Sequence, residues 1–378
     1  MRRTIPVCEP LVEAAEISNV LECMKTGWIS SAGHYLEEFE SRWAAYCGMP
    51  HGIAVSNGTV ALEVAVRCLD LEPGDEVILP AFTIISCAQA IVYGGGIPVL
   101  VDSDPRTWTM DVGQIESRVT DRTRAIMPVH IFGHPVNMAP VWELARKHGL
   151  RIVEDAAEAH GAECHGRRCG GLGDISCFSF YANKIVTTGE GGMVLTRSEA
   201  WAERSRSLRN LCFRSDRRFL HTELGHNYRL TNLQAAIGAA QVERIEALVE
   251  IKRAMAQRYT DGLRDCPGLT LPVEESWARN VYWMYGLVLD ESLGFNARAF
   301  ADRLRERGVE TRPFFLPMNV QPALHDLGLC KSAEPFPVAE RLGEYGLYLP
   351  SGLGLTEEEI AYVCEVVRSE VARAPLTR

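Results

Sequence analysis

Arg151-Ile152-Val153-Glu154-Asp155-Ala156-Ala157-Glu158-Ala159-His160-Gly161 decides how this sequence is read. A short apolar run ends in two carboxylates and is followed by small residues. The pattern is that of a buried strand delivering an acid to its carboxyl end. In open α/β sheets, ligands bind beyond those ends. Further along stands Ser179-Phe180-Tyr181-Ala182-Asn183-Lys184-Ile185-Val186-Thr187-Thr188-Gly189-Glu190-Gly191-Gly192. Here a lysine occupies a polar turn after an apolar strand end. The glycines that follow suggest close backbone approach or a tight turn.

Outward from these segments, short apolar strands alternate with helical patterns from about residue 50 to 200. Gly52 to Ser56, Glu76 to Pro80, Pro98 to Val101, Ala125 to Val129, Arg151 to Glu154, Ile175 to Phe180 and Met193 to Thr196 read as strands. Asn57 to Leu69, Ile84 to Tyr93 and Val141 to His148 read as helices between them. Continuous apolar strands alternating with helices indicate an α/β sheet covered on both faces. Thr231-Asn232-Leu233-Gln234 is a capping box. It opens one long helical stripe through Ile237, Ile245, Leu248, Met255 and Tyr259. A second unit follows, with a strand at Tyr282 to Leu289, a helix from Asn296 to Arg307 and a last helix capped by Thr356 with Glu359. At 378 residues the chain exceeds what one core usually supports. The expectation is a large α/β/α domain over 1–245, built on a mostly parallel sheet, and a smaller α/β domain over 246–378.

Composition excludes several classes. The formal net charge is −10, and no basic face of the kind a nucleic-acid binder carries is evident. Arg204 to Arg218 is locally arginine-rich, either a solvated helix face and loop or a patch for a phosphorylated ligand. No apolar run is long enough to span a membrane. Met1-Arg2-Arg3-Thr4-Ile5-Pro6 is basic without an apolar stretch behind it, so no signal peptide is expected. The twelve cysteines form no C-x-x-C pair and the histidines no H-E-x-x-H. Reduced thiols, a cytoplasmic location and no metal are the expectation.

A strand-end carboxylate followed by a turn lysine is the pairing that pyridoxal phosphate chemistry needs. The lysine holds the aldehyde as a Schiff base, and the carboxylate keeps the pyridine nitrogen protonated so that the ring accepts electrons. Taken singly, Asp155 reads as a helix cap or structural carboxylate and Lys184 as a surface charge; their context joins them. Ser56-Asn57-Gly58-Thr59 lies between a strand and a helix, where backbone N–H groups make a phosphate seat. There is no G-x-G-x-x-G after a strand and no G-x-x-x-x-G-K-[ST] to support dinucleotide or P-loop readings.

On these residues the chain resembles the DegT/DnrJ/EryC1/StrS family of sugar aminotransferases, which share fold type I of the pyridoxal phosphate enzymes. The resemblance also rests on Thr26 to Ser31, Val55 to Leu62, Pro73 to Ile78, Ala125 to His130, Asn227 to Asn232 and Glu310 to Pro313. It runs over nearly the whole length and is strongest toward the perosamine branch. It implies that Lys184 carries the cofactor and moves the proton, and that Asp155 pairs with the ring nitrogen. Asn57, Gly58, Thr59 and Ser179 would hold the phosphate side. Glu158 would lie near the phenolic oxygen, where many relatives have glutamine. Asn227 would reach the phosphate of the neighbouring subunit's cofactor, which implies a homodimer with shared sites. Trp28, Ser30, His160 and Arg312 would line the substrate region.

Two positions depart from the family pattern. Ile84 stands where many relatives place an aromatic residue over the ring; an isoleucine covers by dispersion but cannot stack. Phe82 is a second candidate for that contact, although a strand or turn would point it elsewhere. Asn319 stands where the perosamine branch resembles itself in carrying histidine near the substrate. The implied reaction moves an amino group from L-glutamate, through the pyridoxamine form, to C4 of a 4-keto-6-deoxy sugar nucleotide, first among them GDP-4-keto-6-deoxy-D-mannose. The alternatives are 3- or 4-amination of another dTDP-, UDP- or GDP-linked keto sugar, and a binding or regulatory protein without turnover. Dehydration at C3 is disfavoured because relatives that do it replace the lysine with histidine.

Overall fold

The computed structural model describes residues 4–214, 216–330 and 334–374; Met1 to Arg3 of the basic N-terminus lie outside them. The strands of the first half are β1 His51–Val55, β2 Glu76–Pro80, β3 Ile97–Val101, β4 Thr123–Ile126, β5 Arg151–Asp155, β6 Glu163–Cys164, β7 Arg167–Arg168, β8 Ile175–Ser179 and β9 Gly192–Thr196. Seven of them form one sheet in the order β1-β9-β8-β5-β4-β2-β3. β9 runs antiparallel to both β1 and β8, while β8, β5, β4, β2 and β3 pair in parallel. Every residue of β2 and of β9 is buried. Successive strand residues point to opposite faces, so both faces of the sheet are covered, as the continuous apolar runs require.

Helices supply that cover: α1 Ala14–Thr26, α2 His34–Tyr46, α3 Gly58–Arg67, α4 Ser86–Tyr93, α5 Met138–His148 and α6 Glu199–Arg209. α3 packs on β8 and β9, and buries Val60, Ala61, Leu62 and Val64 to Val66. The long stripe after Thr231 is two helices, α7 Asn232–Glu243 and α8 Ile245–Leu263, rather than one. The break falls at Arg244, whose ψ of 15° leaves the helical range. Its guanidinium pairs with Glu13 and Glu16 and also donates to the Leu11 carbonyl. Those contacts tie the break to the N-terminal segment and are invisible to helical periodicity.

A second, antiparallel sheet forms beyond α8. Its partners are β10 Leu269–Thr270, β12 Gly286–Leu289, β13 Arg312–Pro313 and β14 Gly346–Tyr348, in the order β10-β12-β14-β13; between the first two, β11 Ala278–Arg279 pairs instead with β6. The strand read from Tyr282 starts only at Gly286, because Tyr282 has φ of +47° and turns the chain first. A separate apolar cluster lies here, with Tyr259, Tyr285, Leu287, Phe300, Leu347 and Val363. Ile5 joins that cluster through a bridge to Val309, so the first described residues reach across to the second sheet. Ile245, Leu248 and Val249 of α8 still pack in the first core, while Met255 and Tyr259 pack in the second, so the core changes within α8. We propose 1–245 and 246–378 as the two domains, divided at the helix break that opens α8. No helix among the described residues is long and apolar enough to cross a membrane.

Candidate active site

Asp155 ends β5, Ser179 ends β8, and Asn57 caps α3 just past β1. The carboxyl ends of three parallel strands thus converge at one point. A cavity of about 540 Å³ opens there, lined by Asn57, Gly58, Thr59, Ile84, Asp155, Glu158, Ser179, Lys184 and Arg312, among others. Residues spread over more than half of the sequence meet in this one space.

Its α3 end is built for an anion. The Asn57 side chain accepts from Val60 N at 2.9 Å, and Ala61 N bonds back to Asn57 O. Helix geometry leaves the Gly58 and Thr59 N–H groups without intrahelical acceptors. The Thr59 hydroxyl lies 2.8 Å from that of Ser86, and Ser179 stands opposite. Gly58 is required by close approach: a Cβ there would come within 2.6 Å of the Ser179 Cβ. Gly192 is likewise required, since a Cβ would meet the Asn57 carbonyl oxygen at 2.3 Å. The glycine run after Lys184 therefore lets β9 pass directly beneath the α3 cap.

At the other end sit the charged groups. Lys184 Nζ lies 3.6 Å from Glu158 Oε1 and 3.6 Å from the centre of the Trp283 ring. The Lys184 and Glu158 side chains are each only 9% exposed. Burial pulls the lysine pKa down, against the opposing pull of the Glu158 and Asp155 charges. Burial pushes Glu158 up to about 7, although Lys184 and the Phe132 N–H, at 2.8 Å, draw it down. Desolvation outweighs attraction on both sides, so burial disfavours the charged form of each partner. Asp155 is also raised by burial, offset by donors from Ala157 N at 3.0 Å and Cys87 Sγ at 3.1 Å.

The neighbouring carboxylate behaves differently. Glu154 faces away and accepts from the His130 ring, from Gly170, Leu172 and Gly173 N–H groups and from the Ser176 hydroxyl. His130, Glu154 and Cys169 lie close enough together to hold a cation, but these five donors already occupy both carboxylate oxygens. Glu154 is a structural hub behind the site.

Several sequence-picked residues lie elsewhere. His160 is buried among Trp43, Phe178 and Phe180, and its Nδ1 accepts from Val186 N at 3.2 Å. Burial lowers its pKa to about 3, so it is a neutral core residue that does not face the cavity. Phe82 is 1% exposed and packs on Phe132, Phe314 and Phe315, behind the wall that Ile84 forms. Asn319 is buried and donates to Glu340 at 2.7 Å. Trp28 and Ser30 are exposed, and their carbonyls accept from Asn232. Asn227 is exposed and pairs through its backbone with Asn210. Three arginines of the arginine-rich segment are ion-paired: Arg204 with Glu223, Arg209 with Glu40 and Arg214 with Asp216.

The sequence reading missed Trp283, Cys87, Thr83 and Tyr348. Trp283 donates its Nε1–H to the Asn183 carbonyl at 2.8 Å and lays its face on Lys184. Nothing in Tyr282-Trp283-Met284 marks such a role locally; only the packing of the second sheet brings it in.

The model of the DegT/DnrJ/EryC1/StrS aminotransferase family matches residues 10–368. The chain belongs to this family. A GDP-perosamine synthase of Caulobacter vibrioides is 43% identical to this family member over 357 residues, 94% of this chain and 95% of the relative. One from Escherichia coli O157:H7 is 38% identical over 363 residues, 96% and 97% of the two chains. The crystal structure of the aminotransferase TlmJ from Streptoalloteichus hindustanus superposes with a TM-score of 0.90 at 32% identity, covering 97% of this chain and 99% of that one. The protein is therefore a DegT/DnrJ/EryC1/StrS aminotransferase of fold type I, with the mostly parallel sheet that its sequence implies. Family membership also implies dependence on pyridoxal phosphate.

Proposed function

We propose that this aminotransferase moves an amino group from L-glutamate to C4 of GDP-4-keto-6-deoxy-D-mannose, giving GDP-perosamine. The observation that carries the reading is the buried Lys184 facing Asp155 and Glu158 in one cavity, in a chain 43% identical to a GDP-perosamine synthase. The residues fit the cofactor. The uncommitted N–H groups of Gly58 and Thr59, with the Thr59 and Ser179 hydroxyls, match a phosphate. The unpartnered buried Asn183 Oδ1 marks unfilled polar capacity in the wall.

When bound, pyridoxal phosphate supplies an electron sink for the donor's Cα and carries the amino group in its pyridoxamine form. Lys184 would hold it, and its amine, whose neutral form burial favours, would move a proton. Asp155, ionised, would hold a proton on the ring nitrogen. Glu158 faces Lys184 across 3.6 Å. Arg312, on the open side, takes an anionic part of the substrate. Asn227, exposed in a single chain, reaches a second copy in a homodimer with shared sites.

The test is to incubate the protein with pyridoxal phosphate, L-glutamate and GDP-4-keto-6-deoxy-D-mannose. The expected result is 2-oxoglutarate and a sugar whose mass shows a keto oxygen replaced by an amine, placed at C4 by NMR. A second reading, another keto-sugar nucleotide or C3, is favoured by Asn319, which stands where the perosamine branch carries histidine. Formation of 2-oxoglutarate without amination of the GDP sugar would select it.

A further inference from the structure

Asp155 has two carboxylate oxygens, and each accepts from a different element. Ala157 N–H, two residues on, reaches Oδ1 at 3.0 Å. The thiol of Cys87, in the first turn of α4, reaches Oδ2 at 3.1 Å. Cys87 is fully buried, and the Thr83 hydroxyl lies 3.5 Å from its sulfur. A thiol has one proton. With that proton on Asp155, the Thr83 hydroxyl is the donor to sulfur, and the chain of hydrogen bonds runs Thr83 to Cys87 to Asp155. Burial and the Asp155 charge hold the Cys87 thiol well above its usual pKa, so it stays a donor.

The segment that supplies this thiol also shapes the rest of the cavity. Ile84 covers one side, Thr83 lines it, and the Ser86 hydroxyl meets that of Thr59 at 2.8 Å. Cys87 is thus the inward-facing member of a turn whose other members face the same space. Two donors from opposite sides fix the rotation of a carboxylate that would otherwise turn freely. An S–H group is a weak donor. It orients the carboxylate while leaving most of its charge for another partner.

On the cofactor reading given above, we infer that Cys87 is a positioning residue for Asp155, its thiol fixing the carboxylate that pairs with the protonated ring nitrogen. The other groups that face Asp155 are Lys184 and Glu158 across the cavity, His130 behind it and Cys177 on β8. Substituting Cys87 leaves all of these in place. Losing the thiol removes one of the donors that oppose the effect of burial on Asp155. The carboxylate then protonates at higher pH, and a neutral acid no longer favours a pyridinium.

The experiment compares full-length wild type, Cys87→Ala and Cys87→Ser, each stripped of cofactor and titrated with pyridoxal phosphate. The visible absorbance of the bound cofactor is followed at about pH 8 and about pH 6. Cys87→Ala is expected to bind about tenfold more weakly than wild type at the lower pH, with the gap closing at the higher one. Cys87→Ser, which keeps a donor, is expected to track wild type at both. Melting curves of the cofactor-free proteins report any purely structural loss, which lowers stability without a pH-dependent gap in affinity. An affinity ratio that does not change with pH, or a serine variant no better than alanine, overturns the inference. Wild type that binds no pyridoxal phosphate overturns instead the cofactor reading on which it rests.

Discussion

Among the described residues, two lysines hold their side chains largely out of water, Lys184 against the cavity and Lys252 in the middle of α8. Lys252 is 1% exposed, and its ammonium donates to the Ser351 carbonyl. Burial lowers its pKa to about 8. It lies on the stripe of Leu248, Met255 and Tyr259, so helical periodicity carries it inward. Lys184 is pulled down by burial too, but it faces two carboxylates, an indole ring and open volume. Desolvation alone therefore does not distinguish a reactive lysine from a structural one. What distinguishes Lys184 is a reachable cavity, and carboxylates that face its amine there.

The strongest way to break that comparison is Lys184→Ala. Turnover should fall by more than about 1,000-fold, because the cofactor's anchor and the proton carrier are the same side chain. Thermal melting should stay close to wild type, since the change enlarges an existing cavity. Full activity in this variant would remove Lys184 from the mechanism and leave the two lysines alike.

Glu158→Gln sharpens the comparison. The folded pKa of about 7 lies above the ordinary 4.5, so the folded state holds extra protons between those values. Wild-type stability should fall as pH rises through that window, and the glutamine variant should lose that slope. Turnover should drop by about three- to tenfold, with the pH profile displaced, because the amide cannot exchange a proton with Lys184. Identical pH–stability curves for the two proteins would show that Glu158 is not desolvated in solution.

Lys252→Met should have the smallest effect on turnover, within about twofold, because the side chain touches no cavity residue's chemistry. Its signature is in stability. The folded pKa lies below the ordinary 10.5, so the unfolded chain binds more protons between about 8 and 10.5. Wild type should gain stability on the order of 3 kcal/mol across that window, and the methionine variant should not. Chemical denaturation at pH values on either side of the window measures the difference. Loss of cofactor binding in Lys252→Met would make the second lysine functional and collapse the distinction.

The sequence by itself determined the α/β alternation, because strands buried on both faces must be apolar at consecutive positions. It also determined the strand-end Asp155, the turn Lys184 and the capped Asn57-Gly58-Thr59 segment, since each carries its chemistry within a few neighbouring residues. Tertiary structure alone decided the rest. His160 follows Asp155 closely, yet the turn after β5 carries it into the aromatic core; only packing separates a cavity histidine from a core one. Trp283 comes from the turn just before β12, and Cys87 from a different crossover, and neither has a local mark. The break at Arg244 depends on carboxylates from the first helix. Local chemistry follows from spacing along the chain. Which side chains share one small desolvated volume depends on how the sheet and the second lobe close over it.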